Sequence, residues 1–110
     1  MNKEIHKELY QRSDTEIKSL DLFHQGQDAA LNGDLETALD KINQSLEIAK
    51  DDNNSEWTSY LEATIAYLNG DLDKLKSLVD KAGNNIEVLS RLAKGLELRG
   101  IPNYKEDYSN

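Results

Sequence analysis

Hydrophobic residues recur along most of the chain at steps of three and four, the spacing of one helix face, and no segment shows the strict alternation of a strand. Glycines or polar clusters break this pattern at five places, which are Gly33, residues 51–54, Gly70, Gly83 and Gly100. The pattern therefore predicts an all-α fold of five to six helices. The predicted parts are a leading helix in 1–12, one helix pair in 14–50, a second pair in 55–83, a capping helix in 85–99 and a polar tail in 101–110.

Some of these boundaries carry a chemical signal as well as a break in the pattern. Asp34 and Asn85 have side chains that can cap the helices that follow them. Gly100 followed by Pro102 predicts a firm stop, because glycine adopts the left-handed turn and proline cannot continue a helix. We therefore expect one helical domain over residues 1–100, followed by a tail that is ordered only if it docks.

A repeat underlies the helical pattern. The pentapeptide Leu-Asn-Gly-Asp-Leu occurs at 31–35 and again at 68–72, and the small residues Gly26 and Ala63 precede the two copies by the same distance. A helix hairpin cannot bury its own apolar face, so a repeated hairpin must stack on its neighbour. The repeat predicts antiparallel helix hairpins that are stacked as a short α-solenoid.

The two units resemble the tetratricopeptide repeat (TPR) family, whose pattern is W-x2-L-G-x2-Y, then A-x3-F, then P, over about 34 residues. The matching positions are Leu22, Gln25, Gly26, Ala29, Ala38 and Ile42 in the first unit and Ser59, Glu62, Ala63, Ala66, Leu75 and Val79 in the second. Other residues stand where the family has its tryptophan, tyrosine and closing proline. The resemblance covers residues 20–99 and implies a TPR-like stack of about two repeats plus a capping helix. It does not identify a partner, because proteins that share a fold bind many different ones.

The resemblance also implies a binding groove, because in this family the first helix of each repeat lines a concave surface. Four of the residues concerned, Trp57, Tyr60, Thr64 and Tyr67, lie on one face of the same predicted helix. Trp, Tyr and Arg are the residue types that most often anchor protein interfaces. The implied groove residues are Phe23, His24, Gln27, Trp57, Tyr60, Thr64, Tyr67, Arg91 and Lys94. The alternative is that Trp57 and Tyr60 are core residues of a small bundle, since the chain has only one Trp and one Phe.

Some members of the family hold the terminal carboxylate of a peptide with Lys, Asn and Arg from successive first helices. The matching positions here are Phe23, Gln27, Leu61 and Glu87, and only Arg91 is basic. The resemblance therefore implies that an acidic C-terminal peptide is not the ligand.

The net charge of −8 is confined to one segment. Residues 14–56 hold eleven acidic and three basic residues, whereas the rest of the chain is neutral. Such a block is either a solvated helical face or a surface that accelerates association with a basic protein, and it disfavours nucleic acid and anionic membranes as partners. The residues assigned to this acidic surface are Asp21, Asp28, Asp34, Glu36, Asp40 and Glu47.

Groups that could perform catalysis are scarce. The chain has no cysteine and two histidines, His6 and His24, and neither histidine has the helical spacing of a metal-binding pair. We expect no enzyme activity, no cofactor and no metal site. The sequence has neither a signal peptide nor a long apolar run, so we expect a soluble protein of the cytoplasm.

These features favour a protein–protein interaction module that is not an enzyme, a monomer or weak dimer whose partner is another protein of basic charge. The most specific hypothesis is an acidic inhibitor of the immunity-protein or antitoxin type that neutralises a basic toxin such as a nuclease. The chain is similar to bacterial immunity proteins in size, charge and helical make-up, not in motif. The alternative is a TPR-like adaptor or chaperone that holds a peptide or helix in its aromatic groove.

Overall fold

The computed structural model describes residues 14–52 and 54–109, and this part of the chain contains six α-helices and no strand. The all-α prediction is thereby confirmed, while the leading helix predicted in 1–12 lies outside the described residues. The helices are α1 (Asp14–Leu31), α2 (Leu35–Ala49), α3 (Ser55–Leu68), α4 (Leu72–Val79), α5 (Ile86–Arg99) and α6 (Tyr104–Ser109). Short 3-10 turns, Lys50–Asp52 and Gly83–Asn85, precede α3 and α5.

Each helix packs mainly against its neighbours along the chain, as in a helical bundle. The contacts join α1 to α2, α2 to α3, α3 to α4, and α4 to α5. α3 also contacts α5, and α6 turns back onto both α5 and α1. The segment predicted as a polar tail therefore forms a helix that closes the molecule on one side, because Tyr104 and Asp107 pack inward.

The repeated pentapeptide builds the same turn twice. Gly33 and Gly70 end α1 and α3 with positive φ values of 83° and 75°, a region that glycine adopts without steric cost. In each turn the amide of the next residue, Asp34 or Asp71, donates to the carbonyl five residues earlier, at 2.9 Å and 2.8 Å. The carboxylate of the same aspartate then accepts from the amide three residues further on, at 3.1 Å and 3.2 Å. The capping role predicted for Asp34 is confirmed.

The cap predicted at Asn85 is not formed. Asn85 precedes α5, but its side chain makes no capping hydrogen bond. Its ψ is 9°, whereas Asp34 has a ψ of 80°. The preceding 3-10 turn holds the backbone of Asn85 away from the extended conformation that aims a capping side chain at the helix amides.

The hairpin of α1 and α2 is packed too closely to accept a side chain at Gly26. A Cβ on this buried glycine would lie 2.5 Å from Cγ1 of Ile42 and 3.0 Å from the carbonyl oxygen of Ala38. Ser19, about two turns before Gly26 on α1, and Ser45, about one turn after Ile42 on α2, are both fully buried. The hydroxyl of each serine donates to the backbone carbonyl of the other. The hairpin is thus held by close packing around Gly26 and by the hydrogen bonds of the serine pair.

We predict that Gly26→Ala destabilises the protein despite the better helix propensity of alanine. The added methyl must displace Ile42, and overpacking of this kind costs about 1–3 kcal/mol. The measurement is the free energy of unfolding from urea titration. The Gly26→Ala/Ile42→Ala double variant should lose less than the two single variants added together, because alanine at 42 removes the clashing atom. Strictly additive losses would contradict a steric origin.

Candidate functional site

The nine residues assigned to the groove come from three helices, and the structure brings most of them to one side of the molecule. Phe23, His24 and Gln27 lie on α1, Trp57, Tyr60, Thr64 and Tyr67 on α3, and Arg91 and Lys94 on α5. An open groove is expected from the sequence, whereas the structure has α6 on this side, in contact with α1 and α5. The role of these residues in binding a partner remains a prediction.

Four of the nine are buried: Phe23, Tyr60, Thr64 and Tyr67. The ring of Phe23 lies 5.3 Å from that of Tyr60, and Tyr67 packs edge-on against Tyr104 of α6 with ring centroids 6.1 Å apart. In this conformation these side chains form core, which answers the question of groove or core in favour of core for Tyr60. For Tyr67, part of this burial comes from Tyr104 of α6, a residue that the sequence pattern did not assign to the fold.

Trp57 has a mixed environment. Its indole is half-buried, lies 5.4 Å from the ring of Phe23, and donates from Nε1 to Oγ of Ser19 at 2.9 Å. The indole therefore ties α3 to the buried serine pair between α1 and α2. Neighbouring His24 is exposed and lies at the edge of this aromatic cluster, 6.1 Å from the ring of Phe23.

α6 docks through residues spaced three and four apart. Tyr104 and Asp107 are buried and Tyr108 is half-buried, while Lys105 and Glu106 are exposed. The rings of Tyr104 and Tyr108 stack with their centroids 5.1 Å apart. The helix thus lays one face on the rest of the molecule, as a bound helical peptide does.

Polar contacts fix the register of α6. The side-chain amide of Gln27 donates to the hydroxyl of Tyr104 at 2.9 Å. The hydroxyl of Tyr67 accepts from the backbone amide of Asn103 at 2.7 Å. Helices α1 and α3 therefore each contribute a hydrogen bond to the first turn of α6 or to the residue before it.

The strongest of these contacts is made by Asp107. Its two carboxylate oxygens accept from the two Nη atoms of Arg99, both at 2.9 Å, and one of them also accepts from the hydroxyl of Tyr67 at 2.5 Å. Burial on its own would raise the pKa of Asp107, but the hydrogen bonds from Arg99 and Tyr67 outweigh it and lower the pKa. The carboxylate is therefore charged, buried and paired.

The position of the Asp107 carboxylate depends on a glycine. A Cβ at Gly95, in the middle of α5, would overlap the carboxylate of Asp107. Glycine inside a helix costs about 0.5–1 kcal/mol relative to alanine, so its presence here needs a packing reason. The close approach of the Asp107 carboxylate to the backbone of α5 supplies that reason.

A surface cleft runs beside this carboxylate. Its lining residues are Arg91, Lys94, Gly95, Leu98, Arg99 and Asp107. Arg91 pairs with Glu87 at 3.3 Å and donates to the backbone carbonyl of Tyr108 at 3.2 Å. Its Nε atom is buried and has no hydrogen-bond partner among the described residues. Arg91 therefore keeps one buried donor that α6 leaves unsatisfied.

The six residues of the acidic surface are all exposed, and five of them lie on the outward sides of α1 and α2. Asp21 and Asp28 each follow a buried residue of α1 by two positions, about half a helical turn. Asp40 and Glu47 bear the same relation to buried residues of α2, and Glu36 lies two positions before one. The carboxylates consequently point away from the core of the hairpin.

Local partners occupy three of these carboxylates. Asp34 accepts from the amide of Thr37, Asp40 from the side chain of Gln44, and Glu47 forms an exposed ion pair with Lys50 at 3.0 Å. No ion pair is found for the other three (Asp21, Asp28 and Glu36) among the residues that the structure describes. Their charge contributes to the field outside the hairpin.

Within residues 14–52 and 54–109, no group of three or more His, Asp or Glu side chains could hold a metal ion. None of the helices described above is both long enough and apolar enough to cross a membrane.

The sequence pattern assigned no role to Tyr104, Asp107 and Tyr108, nor to Gly95, and it placed Arg99 only on the outer side of the capping helix. A signal for the first three was available, because positions 104, 107 and 108 have the spacing of one helix face. Gly95 and Arg99 could be linked to them only after α6 had been placed.

Comparisons with protein families, with curated proteins and with solved structures find no match to this chain.

We predict that Asp107→Asn lowers the free energy of unfolding by about 2 kcal/mol, because it leaves Arg99 without its buried charged partner and Arg99 is itself partly exposed. The matched control is Glu106→Gln, which neutralises the exposed neighbour on the same helix and should change stability by less than about 0.5 kcal/mol. Urea titration monitored by circular dichroism measures both. Equal losses in the two variants would show that the buried ion pair is not what holds α6.

We also predict a loss of stability in alkaline solution. Burial raises the pKa of Tyr60 to about 12 and raises the pKa values of Tyr67 and Tyr104 as well. Because the unfolded tyrosines ionise near pH 10 and the folded ones only at higher pH, the free energy of unfolding falls as pH rises above 10. The slope should be about 1.4 kcal/mol per pH unit for each such tyrosine.

Urea titrations at pH 9, 10, 11 and 12 give this slope. Tyr104→Phe removes one of the three ionisations and should make the slope shallower by about a third. A slope that is unchanged in this variant would mean that Tyr104 ionises as readily in the folded protein as in the unfolded one, contrary to its burial on the inner face of α6.

Proposed function

We propose that the protein is a protein–protein interaction module that is not an enzyme, and that the acidic outer side of the α1–α2 hairpin docks a basic protein. The most specific form of this proposal is an inhibitor of the immunity-protein or antitoxin type that covers the basic site of a toxin. One observation carries it: the acidic residues that the sequence singles out are exposed, and those on α1 and α2 lie on the sides of these helices opposite the core.

The electrostatics of the hairpin support this assignment. Two basic residues, Lys18 and Lys41, accompany eight acidic ones between residues 14 and 49. Fields of one sign raise the rate at which an oppositely charged protein is captured, by about ten- to a thousandfold. A nuclease that binds phosphates offers a basic surface of the complementary kind.

We further infer that the two hairpins are stacked in the TPR-like manner. The support is the pair of equivalent Gly-Asp turns, together with the buried small residues Gly26 and Ala63 at equivalent places in the first helix of each unit. Such a stack leaves the outer side of its first hairpin exposed, and in this protein that side carries the acidic surface.

The adaptor alternative is less well supported for the protein in this conformation. A ligand in the aromatic groove would have to reach Tyr60 and Tyr67, which are buried, while α6 lies over the same side of the molecule. The acidic side of the hairpin needs no rearrangement. We therefore place the acidic surface first.

We predict that association with the partner depends on Asp21 and Asp28. The partner is obtained by affinity purification from the native host, and its association rate constant is measured at about 25 mM and 200 mM salt. At 200 mM salt, screening shortens the reach of exposed charges to less than about 10 Å, whereas it is longer at 25 mM. The association rate should therefore fall at least tenfold as salt is added. Asp21→Asn/Asp28→Asn should lower the rate at low salt and flatten its salt dependence.

The matched control is Asp73→Asn/Asp80→Asn, which removes the same charge from two exposed positions with the same spacing on the second hairpin. This control should behave like the wild type. If both double variants slow association equally, net charge rather than the α1–α2 surface is responsible. A rate that does not change with salt in the wild type would rule out the proposal.

A further inference from the structure

The docking of α6 has the features of a bound ligand more than those of a self-sufficient element. α6 has six residues, and isolated helices shorter than about 12–15 residues are marginal in water. Its helical form therefore depends on what it touches. The contacts lie on one face, at positions 104, 107 and 108, and the other face is in solvent.

The surface beneath α6 is built to recognise a carboxylate. Arg99 presents two Nη donors at 2.9 Å and Tyr67 a hydroxyl at 2.5 Å, and Gly95 leaves the space that the carboxylate occupies. A bidentate guanidinium contact is the geometry that proteins use for specific carboxylate binding. Next to it, Gln27 and the ring of Tyr67 form a place for a tyrosine.

α6 does not use this surface fully. In the adjoining cleft the buried Nε of Arg91 has no partner among the described residues, and the ammonium of Lys94 is on an exposed residue. Leu98, which also lines the cleft, is 80% exposed. A segment with a carboxylate near the exposed Lys94 and an apolar side chain against Leu98 would make contacts that α6 does not make.

The connection to α5 permits α6 to leave without unfolding the hairpins. Gly100 makes the turn with a φ of 83°, and a Cβ there would have nothing within 4 Å. Residues 100, 101 and 103 are exposed. Rotation at these few residues would swing α6 away while α5 stays in place.

We propose that the surface beneath α6 is a docking site for a helical segment of a partner protein that carries a tyrosine and, three residues later, an aspartate, and that α6 occupies this site until such a segment displaces it. This inference goes beyond the function proposed above, because it concerns another side of the molecule and an acidic, aromatic segment. A second copy of the chain is a poor source of that segment, since two molecules of charge −8 repel each other.

The test uses the full chain and a fluorescein-labelled synthetic peptide of residues 101–109 as the probe, with binding measured by fluorescence anisotropy. In the wild type the tethered α6 competes at an effective concentration in the millimolar range, so the peptide binds weakly. In the full-length Tyr104→Ala/Asp107→Asn variant the competitor is disabled, and the peptide should bind at least tenfold more tightly.

Controls in the peptide and in the protein test the carboxylate site. A peptide with Asp107→Asn should bind the double variant at least tenfold more weakly, whereas a peptide with Glu106→Gln should bind like the original. Adding Gly95→Ala to the double variant should abolish binding, because the methyl fills the space of the carboxylate. A double variant that keeps its helix content yet binds no better than the wild type would overturn the proposal, and so would equal binding of the Asp107→Asn peptide.

A second pair of variants leaves every contact of α6 intact. Gly100→Ala strains the left-handed turn that returns α6 to its site and should tighten peptide binding about fivefold or more. Gly33→Ala introduces the same strain at the same φ of 83° in the α1–α2 turn, again with nothing within 4 Å of the new methyl, and should leave peptide binding unchanged. If Gly100→Ala forms a dimer by light scattering and binds no peptide, α6 is exchanged between copies and the proposal is wrong.

Discussion

A buried carboxylate governs how the last third of this chain is arranged. Removing Asp107 from water is unfavourable unless its charge is met by donors in good geometry, and Arg99 and Tyr67 together meet it. The requirement propagates outward. Gly95 must lack a side chain, and Gly100 must turn the chain so that α6 returns to α5. α6 then lies against Tyr67 of α3 and Gln27 of α1.

The sequence predicted those parts of the fold that are set by local rules. The two Gly-Asp turns follow from residues within one turn of each other. The apolar spacing places Phe23 and Ala30 on the inner side of α1, as the structure has them, whereas Ile17 of the same stripe is 45% exposed. Asn85 shows the limit of such rules, because its capping side chain is overridden by the conformation of the turn before it. Local chemistry is decisive only where the backbone around it is regular.

The arrangement of α6 could not be predicted in the same way. Two of its partners are tens of residues away in the chain, as in the hydrogen bond of Gln27 with Tyr104 and that of Tyr67 with Asp107. Taken alone, the polar composition of residues 101–110 predicts a tail and not a docked helix. What makes it structural is a complementary surface formed by three other helices, and hydrophobic periodicity carries no information about such a surface. The same reason explains why the groove was predicted to be open.

Two aspartates of this protein show how position changes the meaning of a charge. The charge of the buried Asp107 is balanced by hydrogen bonds from Arg99 and Tyr67, so this carboxylate acts only on the groups that it contacts. Asp28 is exposed, no ion pair is found for it among the described residues, and it acts at a distance through the field of the hairpin. The helix α1 serves both surfaces with adjacent residues, Gln27 toward α6 and Asp28 toward solvent. Because these side chains diverge, the contact of Gln27 with α6 leaves Asp28 exposed, and the acidic surface and the site that we propose beneath α6 are separate.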